Sequence, residues 1–178
     1  MWRKLVVLIL VVLMGAIAVP VPAVNAEENP AATVTIDTGN PEVSGEISLE
    51  EVNNGLTRIS GTITGLSRGV HGFHIHESGD LSDGCTSTGS HYNPFGKTHG
   101  SPSATERHVG DMGNIYADAT GKAKFRIMDP LVKLTGETSV IGRAIVIHEG
   151  RDDLGRGKET DSKTTGHAGG RVGCGIIK

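Results

Sequence analysis

The chain has 178 residues, which suits one globular domain and is too short for two domains with separate cores. Twenty-six glycines stand against six aromatic residues, and because an interior glycine weakens a helix by about 1 kcal/mol relative to alanine, this composition favours an all-β fold with many turns. The 17 basic and 20 acidic residues give a net charge of −3, which excludes the polycationic surface of a nucleic-acid-binding protein. We therefore expect no nucleic-acid partner.

Residues 1–26 are expected to form a secretory signal peptide. Arg3 and Lys4 precede an uncharged apolar run over residues 5–19, and small residues follow where a signal peptidase would cut. Cleavage after residue 26 would leave a domain of residues 27–178 with 15 basic and 20 acidic side chains, a net charge of −5. The alternative is a retained membrane anchor, since the apolar run approaches the roughly 20 residues of a membrane span. In either case the domain lies outside the cytosol, and we expect it to be secreted.

Eight segments of the remaining chain have the alternating polarity and β-branched residues of strands, and turn sequences separate them. Strands at this spacing predict an all-β fold, an eight-stranded Greek-key β-sandwich or flattened barrel. In chain order the predicted strands are Thr33–Asp37, Val43–Glu50, Leu56–Thr64, Val70–His76, Gly110–Ala117, Lys122–Met128, Arg143–His148 and Arg171–Ile177.

Two long segments, Glu77–Val109 and Glu149–Gly170, show neither helical nor strand periodicity. Structureless loops of this length are uncommon in a compact domain and are usually functional or disordered. The first contains a cysteine and three histidines, so we expect both loops to be functional and the first to be ordered by bound groups rather than by packing.

Cys85 and Cys174 are the two cysteines of the chain. An even number of cysteines in an oxidising compartment suggests a disulfide. The alternative is a pair of buried free thiols.

Six of the eight histidines lie between positions 71 and 108. His74 and His76 are two residues apart on a predicted strand, so both project from one face and can share a metal ion. His71 points to the opposite face and is interpreted as a structural histidine. His148 ends another predicted strand.

The donor types indicate two different ions. Three imidazoles and one carboxylate form a tetrahedral set that zinc accepts, and these are supplied by His91, His99, His108 and Asp111. Nitrogen donors alone suit copper(II), and three of them come from His74, His76 and His148. An imidazolate has two nitrogens, so one histidine shared between the ions would complete both sets.

Several short motifs resemble those of the copper/zinc superoxide dismutases, and the resemblance extends over Thr33–Lys178. The motifs are Gly72-Phe73-His74-Ile75-His76-Glu77, Gly84-Cys85-Thr86-Ser87, His91-Tyr92-Asn93-Pro94, Arg107-His108-Val109-Gly110-Asp111 and Gly173-Cys174-Gly175.

The resemblance implies a role for each candidate residue. His91 would be the imidazolate that bridges the ions. Cys85 and Cys174 would form the family's disulfide. Asp152 would hydrogen-bond one copper-bound and one zinc-bound histidine, His74 and His99, and Arg171 would guide the anionic substrate. Copper would be held by His74, His76, His91 and His148, and zinc by His91, His99, His108 and Asp111.

The activity implied by the resemblance is the disproportionation of superoxide to dioxygen and hydrogen peroxide, an antioxidant defence, by a redox-cycling copper with one copper and one zinc per subunit. His91 would also accept and return a proton. The implied partners are superoxide as substrate, a second copy in a homodimer and a copper-delivering protein. Thr164 and Gly150 stand where animal members commonly carry basic residues, and His167 is unusual. These differences leave the strength of electrostatic steering open.

Two other functions are compatible with the predicted fold. One is a non-catalytic copper-binding or copper-delivery module, which would usually lack a copper ligand or the guiding arginine. The other is a metal-free β-sandwich adhesion module, which has no use for converging histidines. All seven ligand positions and Arg171 are filled here, which favours the enzyme.

Overall fold

Antiparallel strands form one sheet that curls into a nearly closed barrel in our computed structural model, which describes residues 29–178. The order of the sheet is β1-β3-β4-β8-β7-β5-β9-β10-β2, and the predicted signal peptide lies outside the described residues. The strands of the described chain are β1 (Ala31–Ile36), β2 (Thr38–Gly39), β3 (Ser44–Val52), β4 (Leu56–Thr64), β5 (Gly69–His76), β6 (Ser82–Cys85), β7 (Asp111–Ala117), β8 (Ala123–Asp129), β9 (Ala144–His148) and β10 (Arg171–Ile176).

The topology confirms the all-β prediction. Strands β4 and β5 follow each other in the chain but are separated in the sheet by β8 and β7, which is a crossover typical of a Greek key. The barrel closes where Thr33 and Lys178 exchange two backbone hydrogen bonds of 2.8 and 2.9 Å. All eight predicted strands are present with small shifts at their ends, and the short strands β2 and β6 are additional to the prediction.

The barrel interior is filled by aliphatic side chains because strand residues alternate between its two faces. Buried and exposed residues alternate strictly along β1. The aromatic contribution is small: Phe73 packs against Phe125 with ring centroids 4.9 Å apart. The other large buried side chains of the interior are mainly isoleucines, including Ile36, Ile47, Ile59, Ile63, Ile75, Ile145 and Ile147.

The register of β5 against β9 directs three histidines away from this interior. Phe73 pairs with Ile147 inside the barrel, so the next residue, His74, lies on the outer face opposite Val146. His76 lies two residues after His74, and His148 lies two residues after Val146, so both also project from the outer face. The alternation of the strands therefore places His74, His76 and His148 together outside the barrel.

Two long connections cover this outer face. The one between β5 and β7 contains β6 and the 3-10 turn Thr86–Thr88, and the one between β9 and β10 contains the short helix α1 (Ser162–Thr165). No helix within residues 29–178 has the length and apolar character needed to span a bilayer.

A disulfide between Cys85 and Cys174 ties the first connection to β10. Both cysteines are buried and pack against Ala144 and Val146 of β9. The alternative of two free thiols is therefore wrong. A cross-link with a sequence separation of 89 stabilises the fold by about 4 to 5 kcal/mol in the chain-entropy description.

Candidate metal centre

Two groups of buried side chains meet between the barrel and the long connections. Within each group, one ligand atom from every residue lies within 4.8 Å of the others. The first group is His74, His76, His91 and His148, and the second is His91, His99, His108 and Asp111. The seven residues come from β5, β7, β9 and the first connection. His71 belongs to neither group, since its ring contacts the carbonyl oxygens of His148 and Ser67.

The second group surrounds one carboxylate oxygen. Asp111 Oδ1 lies 2.9 Å from Nδ1 of His91, 2.9 Å from Nδ1 of His99 and 3.0 Å from Nδ1 of His108. Asp111 Oδ2 accepts backbone hydrogen bonds from His108 and Gly100, which fixes the carboxylate. Tetrahedral zinc with bonds of 2.0 to 2.1 Å separates its ligand atoms by about 3.3 Å, so this cluster suits zinc after small adjustments.

The first group consists of nitrogens whose opposite ring atoms are anchored. His76 Nδ1 donates to the Gly89 carbonyl at 2.8 Å, and His148 Nδ1 donates to the Gly169 carbonyl at 3.2 Å. These bonds leave Nε2 of His76 and His148 facing each other at 3.4 Å. Anchoring one ring nitrogen sets the tautomer and presents the other as a metal ligand.

Two buried ring nitrogens, His74 Nδ1 and His91 Nε2, have no hydrogen-bond partner, and His99 Nδ1 makes no well-aligned hydrogen bond although it lies 2.9 Å from Asp111 Oδ1. A buried polar atom without a partner costs stability unless something binds it. Each of these atoms belongs to one of the two groups, so the donor sets fit bound metal ions. His91 differs from the other histidines because one of its nitrogens faces each group.

Asp152, in the β9–β10 connection, accepts a hydrogen bond from one histidine of each group. His74 Nε2 donates to its Oδ2 at 3.0 Å, and His99 Nε2 donates to its Oδ1 at 2.8 Å. Leu154 and Asn114 hold this residue by further hydrogen bonds. A single carboxylate thereby orients one imidazole of each group.

The site keeps its donors in the forms that bind metals. Burial and the neighbouring His91 lower the pKa of His74 to about 3, and burial also lowers the pKa of His76 and brings that of His148 to about 4. Burial alone would raise the pKa of Asp111, but hydrogen bonds from His108 and His91 outweigh it and hold this pKa below the usual range. These imidazoles are therefore neutral and this carboxylate is ionised at neutral pH.

His99 behaves differently. Its burial lowers the pKa, yet Asp111, 2.9 Å from its Nδ1, and Asp152, which accepts from its Nε2, raise the pKa to about 9. Asp111 and Asp152 thus keep the His99 imidazole protonated when no metal ion is bound. A bound dication would neutralise the two carboxylates in place of that proton.

Arg171 lies at the start of β10, against the first connection. Its Nη1 donates to the Cys85 carbonyl at 2.7 Å and to Thr88 Oγ1 at 2.9 Å, and its Nη2 donates to the Gly89 carbonyl at 2.7 Å. The Gly89 carbonyl also accepts from His76. The guanidinium is therefore fixed beside the first group of histidines.

A cavity of about 480 Å³ opens over the shared histidine, and its lining includes His91, Lys97, Lys163, Thr164 and Thr165. Lys163, the neighbour of Thr164, therefore places a positive charge at this cavity. His167 does not face the histidines; its exposed ring donates to Asp161 at 2.8 Å.

A larger cavity, of about 710 Å³, lies on the outer face of β1, β3, β4 and β8. Hydroxyl side chains such as Thr33, Ser48 and Ser60 line it, and the histidines do not contribute. The volume of a cavity therefore does not identify the chemical site in this molecule.

Sequence reasoning missed four residues that support the site. Thr88 and Gly89 contact Arg171, and a buried pair, Arg107 and Asp129, holds the backbone of Asp111. The motif containing Arg107 could have indicated that residue, because an arginine beside a ligand histidine needs an anion when it is buried. The other three carry no local signal.

The fold and the donor groups together define a β-barrel metalloprotein in which two ligand sets adjoin at one histidine. The profile of the family described as copper/zinc superoxide dismutase (SODC) matches residues 43–177. The chain is 50% identical over 144 residues to Superoxide dismutase (Cu-Zn) 2 of Mesembryanthemum crystallinum, which covers 81% of this chain and 92% of that protein. It also superimposes on the crystal structure of the clock protein EA4, with a TM-score of 0.80 and 43% identity, covering 86% of this chain and 97% of that one.

This chain belongs to the copper/zinc superoxide dismutase family. It is an enzyme that disproportionates superoxide to dioxygen and hydrogen peroxide, and its cofactors are copper and zinc. The copper-binding module without turnover is not favoured by these relationships.

Proposed function

We propose that the two groups of side chains divide the metals of this superoxide dismutase between them. Copper is held by His74, His76, His91 and His148, and zinc by His91, His99, His108 and Asp111. The observation that supports this assignment is the position of His91, whose Nδ1 lies beside Asp111 while its buried Nε2 has no partner and faces the other histidines.

Bound copper supplies the one-electron chemistry that oxidises one superoxide to dioxygen and reduces the next to hydrogen peroxide, while bound zinc supplies charge without redox chemistry. The residues around the ions have separate tasks. Asp152 orients His74 and His99. His91 Nε2, when it is free, would hold one proton and return it to the peroxide product, whose second proton comes from solvent.

Arg171 is proposed to attract and orient superoxide. Its guanidinium is partly exposed and is fixed by carbonyl oxygens of the first connection. The domain that remains after signal cleavage has a net charge of −5 and repels an anion on average, so a local positive charge must concentrate the substrate. Lys163 adds to this field at the cavity over His91.

The bridging role of His91 has a direct spectroscopic test. With cobalt(II) in place of zinc and copper(II) in the other set, a bridging imidazolate couples the two unpaired-electron systems and suppresses the copper EPR signal. We expect this suppression in the native chain and recovery of the signal in His91→Gln with both ions bound. A full copper signal in the native chain with both ions bound would refute the assignment.

We also propose that residues 1–26 direct secretion and are removed. The supporting observations are Arg3 and Lys4 before the apolar run and a disulfide in the folded domain, which suits an oxidising compartment. N-terminal sequencing of the protein recovered from the medium should begin at Glu27. Recovery of the full-length chain with membranes would instead support a retained anchor.

A homodimer is proposed through the surface around Ile141, which is 45% exposed. Gly79 and Gly142 approach closely beside it: a Cβ atom on Gly79 would lie 2.2 Å from the Gly142 carbonyl oxygen. Sedimentation velocity should give a dimer for the native chain and a monomer for Ile141→Glu. A native monomer at micromolar concentration would contradict this proposal.

A copper-delivering protein is the third proposed partner. The four copper-binding histidines are at most 4% exposed, so a free ion reaches them slowly. Loading of the zinc-bound protein from a copper(I) chelate should be incomplete after an hour unless a delivering protein is present. Complete loading within minutes from the chelate alone would remove the need for this partner.

A further inference from the structure

Thr88 is a threonine of the first connection whose side chain the roles described above do not use. It ends the 3-10 turn Thr86–Thr88 and is completely buried. A buried hydroxyl normally needs partners for its one hydrogen and its two lone pairs. All three are provided here.

The three partners of Thr88 belong to three different parts of the site. Its Oγ1 donates to the Cys85 carbonyl at 2.9 Å, next to the disulfide. It accepts from Arg171 Nη1 at 2.9 Å, and it lies 3.2 Å from Nδ1 of His76, which donates mainly to the Gly89 carbonyl. One hydroxyl therefore contacts both the guiding arginine and a histidine of the copper set.

We propose that Thr88 is a positioning residue that sets the guanidinium of Arg171 relative to the copper ligand His76. The proposal rests on the roles assigned above to these two residues. Its subject is the distance between the substrate-attracting charge and the metal. The Gly89 carbonyl links Arg171 Nη2 to His76 Nδ1, and Thr88 Oγ1 adds a second, side-chain link between the other guanidinium nitrogen, Nη1, and the same imidazole.

The physical reason is the difference between a hydrogen bond and a van der Waals contact. The Nη1 to Oγ1 distance is 2.9 Å, whereas a methyl group in the same place needs about 3.5 to 4.0 Å. Thr88→Val thus displaces the guanidinium by about 0.6 to 1 Å and removes one acceptor from His76. Displacements of this size in a site that orients a small substrate have large effects on affinity and rate.

Azide binding to the copper- and zinc-loaded enzyme tests the proposal with a readout other than turnover. Azide carries the same charge as superoxide, and its binding is followed by visible absorption. We expect Thr88→Val to weaken azide binding by about 3- to 10-fold, which is the size of one ordinary hydrogen bond. Thr88→Ser keeps the hydroxyl and should bind azide within about twofold of the native enzyme.

A second readout concerns His76 directly. In the diamagnetic enzyme with copper(I) and zinc, the His76 Nδ1 proton should exchange with solvent faster in Thr88→Val than in the native protein or in Thr88→Ser. Thr88→Ala removes the hydroxyl without adding a methyl group in its place and serves if the valine variant does not fold. We expect Thr88→Ala to weaken azide binding in the same direction.

Thr57→Val is the matched control. Thr57 is also completely buried and donates to one carbonyl, that of Val132, at 2.6 Å, but it lies on β4 inside the barrel. This variant should lose stability and keep native azide affinity. Native azide affinity in both Thr88→Val and Thr88→Ala would overturn the proposal.

Arg171→Ala separates this proposal from the one on which it rests. If Arg171→Ala weakens azide binding and Thr88→Val does not, the role of Thr88 is wrong and that of Arg171 stands. If neither variant affects azide binding, the guiding role of Arg171 fails as well.

Discussion

Arg107 donates from Nη2 to Asp129 across 2.6 Å, with both side chains only 1% exposed. The same guanidinium donates from Nη1 to the backbone carbonyl of Asp111 at 2.9 Å. Asp129 in turn accepts the backbone N–H groups of Leu131 and Val132. A buried ion pair thus connects the turn after β8 with the start of β7, where the carboxylate of the proposed zinc set lies.

Asp129→Ala should lower the free energy of unfolding by about 3 to 5 kcal/mol, because it leaves the Arg107 charge buried without a partner. Urea denaturation of the metal-loaded protein measures this change. The matched control is Glu50→Ala, which breaks the partly exposed pair between Glu50 and Arg58 and should cost less than about 1 kcal/mol. Equal effects of the two substitutions would show that burial does not govern the Arg107 pair.

Asp152 accepts a hydrogen bond from one histidine of each proposed metal set. Asp152→Asn keeps its size but can no longer accept hydrogen bonds from both His74 and His99 without turning an amide N–H towards one of them. Zinc affinity should fall by about 10- to 100-fold. Competition with a chelator measures the affinity, and Asp153→Asn, at the neighbouring acid that contacts neither histidine, should retain native affinity. Unchanged zinc affinity in Asp152→Asn would contradict the positioning role.

The strands and their faces were predictable because alternation is a local property of the sequence. The parity of His74 and His76 on β5 follows from their spacing, and the register of β9 brings His148, the third nitrogen donor predicted with them, to the same outer face. Strands β2 and β6 were not predictable: β2 has two residues and depends on pairing with β10, while β6 lies in a loop that the disulfide holds.

The residues that support the site were less predictable than the candidate metal ligands. Thr88 and Asp129 act through partners that are distant along the chain or are backbone carbonyls, and neither residue stands out in composition or period. The shared position of His91 required knowing which ring nitrogen lacks a partner. The resemblance to the family implied the bridging assignment, and the unpartnered Nε2 of His91 supports it.

Arg171→Ala should lower kcat/KM by more than tenfold and flatten its dependence on ionic strength, since the local charge that attracts superoxide is gone. Stopped-flow decay of superoxide at several salt concentrations measures both quantities. Arg171→Lys keeps the charge and loses the two-pronged hydrogen-bonding geometry, so its salt dependence should be native while its rate falls. Copper content must stay native in both variants, and unchanged kinetics in Arg171→Ala would refute the guiding role.

The metal-free protein should lose stability as the pH falls from about 6.5 towards 4. The pKa of His148 in the folded chain is about 4 and that of His74 about 3, below the ordinary value of about 6.5 that applies to the unfolded chain. Between these values the unfolded chain binds more protons, so stability falls with pH.

Each such histidine contributes up to about 1.4 kcal/mol per pH unit to the acid-induced loss of stability, and His76, whose pKa is also lowered by burial, adds to the slope. The raised pKa of His99 affects stability only between pH 6.5 and about 9, so it does not change the slope measured below pH 6.5. Urea denaturation of the metal-free chain at pH 6.5, 5.5 and 4.5 measures the slope. His148→Gln should reduce the slope by the equivalent of about one proton taken up on unfolding. A slope identical to that of the native chain would show that His148 is already protonated in the folded protein.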